Sequence, residues 1–140
     1  MKIVDANVLL YAVNTSSQQH AAANSWLTGA LTGSEAVGFP WVSVLAFIRI
    51  STNRRLFSSP LPVTRAFDIL DAWLGAPPAT VVAPSPRHPA ILRDLLLKSG
   101  SGGNLTTDAH IAALAIEHRA DIVTFDRDFE RFAVGIHIPQ

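Results

Sequence analysis

Four aspartates stand where a carboxylate is hard to account for by local structure alone. Asp5 directly follows the apolar pair Ile3-Val4, Asp126 follows Val123-Thr124-Phe125, and Asp128 lies two residues further on. Asp108 stands just inside the start of a helical pattern that opens at Thr107. Thr106 or Thr107 can cap free backbone N–H groups there, and the positive end of a helix favours a carboxylate. Some of these acids also have plainer readings: Asp108 as a helix N-terminal acid, Asp128 as a turn or cap residue. Asp5 has the weakest plain reading, because a carboxylate straight after a buried strand needs a partner. If the strands before Asp5 and Asp126 are neighbours, three or four carboxylates converge. Nearby carboxylates repel, so at least one must take up a proton or meet a cation. Mg²⁺ or Mn²⁺ suits such a site, since both are hard cations that take oxygen ligands. Zinc is the poorer match, because the chain has no Cys and no His-x-x-x-His pair.

These acids need a scaffold that ends several strands at one place. Short apolar runs alternate with helical patterns along the chain. Strand-like runs fall at Lys2-Ile3-Val4, Ala36 to Phe39, Thr80 to Ala83, Asp121 to Thr124 and Ile136 to Ile138. Helical spacing covers Asn7 to Val13, His20 to Leu31, Val42 to Thr52, Val63 to Leu74, Pro89 to Lys98 and Thr107 to Arg119. Gly75 with Pro77-Pro78 stops the fourth of these helices. The alternation predicts an α/β domain with a mostly parallel sheet. The strands are continuously apolar, as expected when helices cover both faces. In such sheets ligands bind beyond the carboxyl ends of the strands, where Asp5 and Asp126 fall.

Composition narrows the function classes. The chain has 140 residues, 49% of them apolar. That length fits one domain, residues 1–140, burying roughly 70% of its unfolded surface. Disulfides are impossible without Cys, which fits a reducing cytoplasm. Asp5 interrupts the first apolar run at once, unlike a secretory signal. The longest apolar stretch, Val37 to Ile48, contains Pro40 and Ser43 and falls short of the ~20 residues that span a bilayer. The expectation is therefore a cytoplasmic protein with no membrane segment. Eleven basic and eleven acidic residues cancel, which argues against holding nucleic acid by bulk charge alone. Only Lys2 and Lys98 are lysines. The remaining bases are Arg, which suits bidentate contacts with phosphate or carboxylate.

Three segments resemble the PIN-domain family, and within it the VapC-type toxins of bacterial toxin–antitoxin pairs. They are Ile3-Val4-Asp5-Ala6-Asn7-Val8-Leu9, Leu105 to Ala115 (LTTDAHIAALA), and Asp121 to Phe129 (DIVTFDRDF). The resemblance implies a three-layer domain, with a five-stranded parallel sheet sandwiched by helices. It implies Mg²⁺- or Mn²⁺-dependent endoribonuclease activity on structured RNA such as tRNA or ribosomal RNA. A VapB-type antitoxin partner and a homodimer are also implied. The family's acidic residues carry over to Asp5, Asp108 and Asp126, with Asp128 as a further metal ligand. There is one departure. Many members place a Glu in the helix after the second strand, three residues before an Arg; here the segment reads Ala46-Phe47-Ile48-Arg49. The loss shifts weight onto Asp126 and Asp128, and frees Arg49 to meet phosphate or another acid. It also leaves open a PIN-like module that binds RNA or an antitoxin without cleavage.

The arginines Arg49, Arg54, Arg55 and Arg127 are candidates for the RNA backbone. Thr107 or Thr124 can hydrogen-bond a ligand or water, and Asn7 can orient Asp5 or simply begin a helix. The glycine-rich run Gly100-Ser101-Gly102-Gly103-Asn104 lacks the Lys of a phosphate loop and follows a helix, so it reads as a flexible connection. His110 lies two residues after Asp108, which turns the two in different directions on a helix. His20, His88, His118 and His137 show no ligand spacing.

Overall fold

A computed structural model describes residues 1–100 and 102–140. Strand β1 (Lys2–Val4) leads through Asp5 into helix α1 (Ala6–Val13), followed by α2 (His20–Thr32) and β2 (Val37–Pro40). Next come α3 (Trp41–Ser51), α4 (Val63–Leu74), β3 (Ala79–Val82) and α5 (His88–Ser99). Then follow α6 (Thr106–His118), β4 (Asp121–Val123) and β5 (Ile136–His137). Short 3₁₀ segments occupy Gly103–Leu105 and Arg127–Phe132. Among the described residues no helix is long and apolar enough to cross a membrane.

The strands form one sheet in the order β3-β2-β1-β4-β5, with every pairing parallel. The expected mostly parallel sheet is thus wholly parallel. Side chains alternate across it. Val4 and Val123 face the layer of α1 to α4, packing with Leu9, Phe39, Phe47 and Leu70. Ile3 and Ile122 face α5 and α6, packing with Leu95, Ile111, Leu114 and Phe129. Both layers are needed because β1 and β4 carry apolar residues on both faces. Gly38 in β2 is required by this packing. A Cβ there would stand 2.9 Å from Val82 Cγ1 and 3.1 Å from Ile3 Cγ1.

Proline and glycine mark the ends of α5, whereas the start of α6 departs from the expected threonine cap. Pro89 opens α5 and Gly100 closes it in the left-handed region, at φ 75°. At α6 neither Thr106 nor Thr107 caps the helix. The 3₁₀ turn Gly103–Leu105 runs straight into it, so Leu105 occupies the cap position with no side-chain bond. Both threonines are then inside the first turn. Ser101, part of the expected flexible run, lies outside the described residues.

Because β1 and β4 are central neighbours in register Lys2↔Asp121, Ile3↔Ile122 and Val4↔Val123, their ends coincide. At the amino end, Lys2 Nζ pairs with Asp121 Oδ2 at 2.8 Å. Gly135 lies against this pair so closely that a Cβ would stand 2.1 Å from Asp121 Oδ1. At the carboxyl end both strands run into acids.

Candidate functional site

Asp5 is held by its own helix and by β4. Its Oδ1 accepts from the Ala6 backbone N–H at 2.7 Å, making Asp5 the N-cap of α1. Its Oδ2 accepts from the Thr124 hydroxyl at 2.8 Å. Thr124 is fully buried, and its oxygen accepts from Asn7 Nδ2 at 3.1 Å and from the Asp126 backbone N–H at 2.9 Å. The Phe125 N–H donates to Asn7 Oδ1 at 3.2 Å. One donor and two acceptor positions exhaust a hydroxyl. Thr124 therefore has no freedom to turn, and its proton is committed to Asp5. Thr124 orients Asp5 directly, and Asn7 bears on Asp5 only through its bond to Thr124.

The other acids gather around that fixed carboxylate. Burial chiefly pushes the Asp5 carboxyl up from 3.8 to about 6, despite the Thr124 and Ala6 hydrogen bonds; Asp108 and Asp126 add repulsion. The Asp108 carboxyl is also raised, first by burial and then by Asp126 and Asp128, with Arg131 opposing. Asp126 caps the 3₁₀ segment after β4, its Oδ1 accepting from the Asp128 N–H at 2.8 Å. Asp128 is exposed, with Arg131 Nη2 at 3.9 Å. Its plainer reading as a turn residue and its place beside the cluster therefore hold together.

Among the described residues, Asp5, Asp108 and Asp126 make no ion pair. The acids are also not drawn into a closed cage, since no three His, Asp or Glu side chains there are grouped tightly enough to surround one ion. The donor set nevertheless fits Mg²⁺ or Mn²⁺. It consists of hard oxygens with uncompensated charge, and Mg²⁺ binds through one or two carboxylates while keeping waters and substrate phosphate.

A cleft of about 220 Å³ opens beside Asp5, lined by Ser43, Ala46 and Arg49 of α3 and by Thr107 and Ile111 of α6. Ala46 offers the cleft no carboxylate. The remaining arginine candidates lie elsewhere. Arg54 and Arg55 are exposed in the turn after α3, and Arg127 is engaged with Glu130 at 3.1 Å.

Two features escaped the sequence reading. Ser43 lies one turn before Ala46 on the same face of α3, a signal that spacing could have supplied. The second is a buried network on the α5–α6 side. His88 Nδ1 lies 2.9 Å from Glu117 Oε2, and its Nε2 lies 2.8 Å from His110 Nδ1. Ser85 donates to Glu117 from both its hydroxyl and its backbone N–H. Burial disfavours the ionised Glu117, but hydrogen bonds from Ser85 and His88 outweigh it and hold the carboxyl below its usual range. Burial chiefly lowers His110, with His88 adding to the effect. These residues are far apart in sequence, so no local spacing announces them. They fasten the segment entering α5 onto α6.

The sequence pattern of the PIN domain matches residues 2–135. The chain is 55% identical over 132 residues to "Ribonuclease VapC37" of Mycobacterium tuberculosis, covering 94% of this chain and 92% of that protein. Among solved structures it is similar to VapBC2 from Rickettsia felis bound to a DNA fragment from its promoter. The TM-score is 0.72 at 17% identity, over 99% of this chain and 98% of that one. It is also similar to the M. tuberculosis VapC20, described as a sarcin-ricin loop cleaving toxin. There the TM-score is 0.70 at 13% identity, over 96% of each chain. With a doubly covered parallel sheet and acids at the carboxyl ends of its two central strands, the chain belongs to the PIN-domain family, among the VapC proteins.

Proposed function

We propose that this protein is the ribonuclease toxin of a VapBC-type pair. In this reading Asp5, Asp108 and Asp126 hold Mg²⁺ or Mn²⁺, with Asp128 at the margin. The observation that carries it is Asp5: a buried carboxylate, aimed by Thr124, raised to about 6 and left without a protein counter-charge. The ribonuclease reading draws on the relatives' names. When bound there, such a cation would supply Lewis-acid polarisation of a phosphate and a more acidic water. The chain itself contributes fixed geometry. Thr124 and the Ala6 N–H hold the Asp5 carboxylate, Asn7 steadies Thr124, and the 3₁₀ cap holds Asp126. Arg49 faces the same cleft and contributes a contact to the RNA backbone; Arg54, Arg55 and Arg127 extend that contact outside it.

The substrate proposed is structured RNA such as tRNA or ribosomal RNA, in the cytoplasm, where exposed loops usually carry specificity. A VapB-type antitoxin partner is supported by neighbours solved as VapBC complexes. A homodimer is proposed from the family resemblance. Ala46 favours one competing reading, a module that binds RNA or antitoxin without cutting.

RNA cleavage by purified protein in Mg²⁺, Mn²⁺ or EDTA separates these readings, comparing wild type with Asp5→Ala and Asp108→Ala. Cleavage is expected only in the wild type with metal. Persistence in EDTA or in both variants sinks the metal-nuclease reading. RNA binding without cleavage under every condition supports the binding module.

A further inference from the structure

The cleft beside Asp5 carries a pattern that the aspartates do not explain. Ser43 lies on its wall, is 1% exposed, and its hydroxyl has no hydrogen-bond partner among the described residues. An unpartnered buried hydroxyl costs about 1–3 kcal/mol, relieved only when something accepts its proton or donates to it. Arg49 lines the same cleft and forms neither an ion pair nor a side-chain hydrogen bond among the described residues. One turn back, Ala46 presents a methyl group where a carboxylate could have paired with it. Thr107 adds a second hydroxyl from α6. The cleft volume of about 220 Å³ leaves room for a small oxyanion.

Three donors with one cation, and no acid on the α3 wall, select for a bound anion. A guanidinium favours a planar, bidentate grip on oxyanions. We infer that Ser43, Arg49 and Thr107 form a phosphate-binding subsite that receives a backbone phosphate of RNA. The residues on this wall thus make it an anion subsite where a carboxylate at position 46 would have made it a cation subsite. The inference rests on the aspartates being a cation site, because an anion beside an ionised Asp5 is repelled until a cation lies between them. Phosphate and Mg²⁺ therefore tighten one another by the same factor.

The test uses ¹⁵N-labelled full-length protein titrated with inorganic phosphate, with and without saturating Mg²⁺, read by NMR. The Ser43 amide and the Arg49 Nε–H signals should move saturably, at lower phosphate concentration when Mg²⁺ is present. Arg49→Gln should weaken phosphate about tenfold, the scale of one charge-assisted contact. Ser43→Ala should weaken it severalfold and should reduce the tightening of Mg²⁺ by phosphate to the same extent. Ala46→Glu should cancel the phosphate response and tighten Mg²⁺. A short RNA should move the same signals, whereas the same RNA with neutral methylphosphonate linkages should not.

An Mg²⁺ response at Asp5 with no phosphate response at Ser43 and Arg49 overturns the subsite and leaves the cation reading standing. A phosphate response with no Mg²⁺ response overturns the cation reading and, with it, the coupling of phosphate to a cation at Asp5. Movement with inorganic phosphate but not with RNA overturns the backbone assignment in favour of a free phosphate site. Equal affinity in wild type and Arg49→Gln overturns the assignment of these residues.

Discussion

The two ends of the β1–β4 pair bear the same kind of side chain and treat it in opposite ways. At the amino end Asp121 meets Lys2 across the register, and the Lys2 hydrogen bond lowers its carboxyl from the usual value. At the carboxyl end Asp5 meets further acids, and burial with repulsion lifts it to about 6. One end is a clasp and the other an unbalanced charge. Burial alone does not make the difference. The Glu117 side chain is only 4% exposed, yet Ser85 and His88 hold it ionised. What distinguishes Asp5 is that its partners are one hydroxyl and one backbone N–H, neither carrying positive charge. A structural carboxylate is matched within the fold; among the described residues this one meets no positive charge.

Breaking the contrast at its functional end should have the largest effect. Asp5→Ala should lower metal-dependent RNA cleavage by more than about a hundredfold, beyond the range of outer-shell changes, in a single-turnover assay. The matched acid should fail differently. Glu117→Ala leaves His88 and Ser85 without their acceptor, and should cost about 3 kcal/mol in urea unfolding. A loss below about 1 kcal/mol would show that the network is not structural.

Asp5→Asn tests the sign of the imbalance. Asp5 binds its proton more tightly folded than unfolded, so the metal-free protein should lose stability as pH rises from about 4 through about 6. The difference between 3.8 and about 6 corresponds to about 3 kcal/mol once ionised. At pH 7.5 in EDTA, Asp5→Asn should gain part of that, measured as a higher Tm, and should lose the stabilisation by Mn²⁺. A lower Tm with an unchanged Mn²⁺ response would make Asp5 structural.

Thr124→Val sharpens the point by removing orientation without charge. It should cost roughly tenfold in Mn²⁺ affinity and about 1–3 kcal/mol of stability, since the Asn7 amide and the Asp126 N–H lose their acceptor. Lys2→Met should matter least. The Lys2–Asp121 pair is partly exposed, worth about 0.5 kcal/mol. The Asp121 share of that is present above pH ~4 and disappears as pH falls through the lowered Asp121 value.

The sequence announced the parts of this molecule that depend on nearest neighbours. The Val63–Leu74 helix falls where its period places it, because proline before and glycine after leave no other limits. Asp5 and Asp126 were legible because a carboxylate after an apolar run has few structural explanations. Their convergence was conditional on one strand adjacency, and the β1–β4 pairing meets it. The α6 cap was not legible, because a 3₁₀ turn feeding a helix removes the need for a threonine. Nor was the His88–Glu117 network, whose partners are 29 residues apart and meet only when α5 packs on α6. Ser43 reads as an ordinary helix residue until the cleft shows its hydroxyl to be unpartnered.

The central strand of this sheet is also the earliest of its five in chain order. β1 is flanked by β2 and β4, and the Thr124–Asp5 bond joins residues 119 positions apart. Such distant pairing is slow to form and comes late in folding. During synthesis Asp5 emerges before the other acids and waits, solvated, until β4 and Thr124 have followed. Asp5 meets the repulsion of Asp126 only at the step that closes β4 onto β1, and a chain stopped short of Thr124 lacks the bond that aims Asp5. In the proposed reading a nascent copy therefore lacks the assembled site, and competence arrives late.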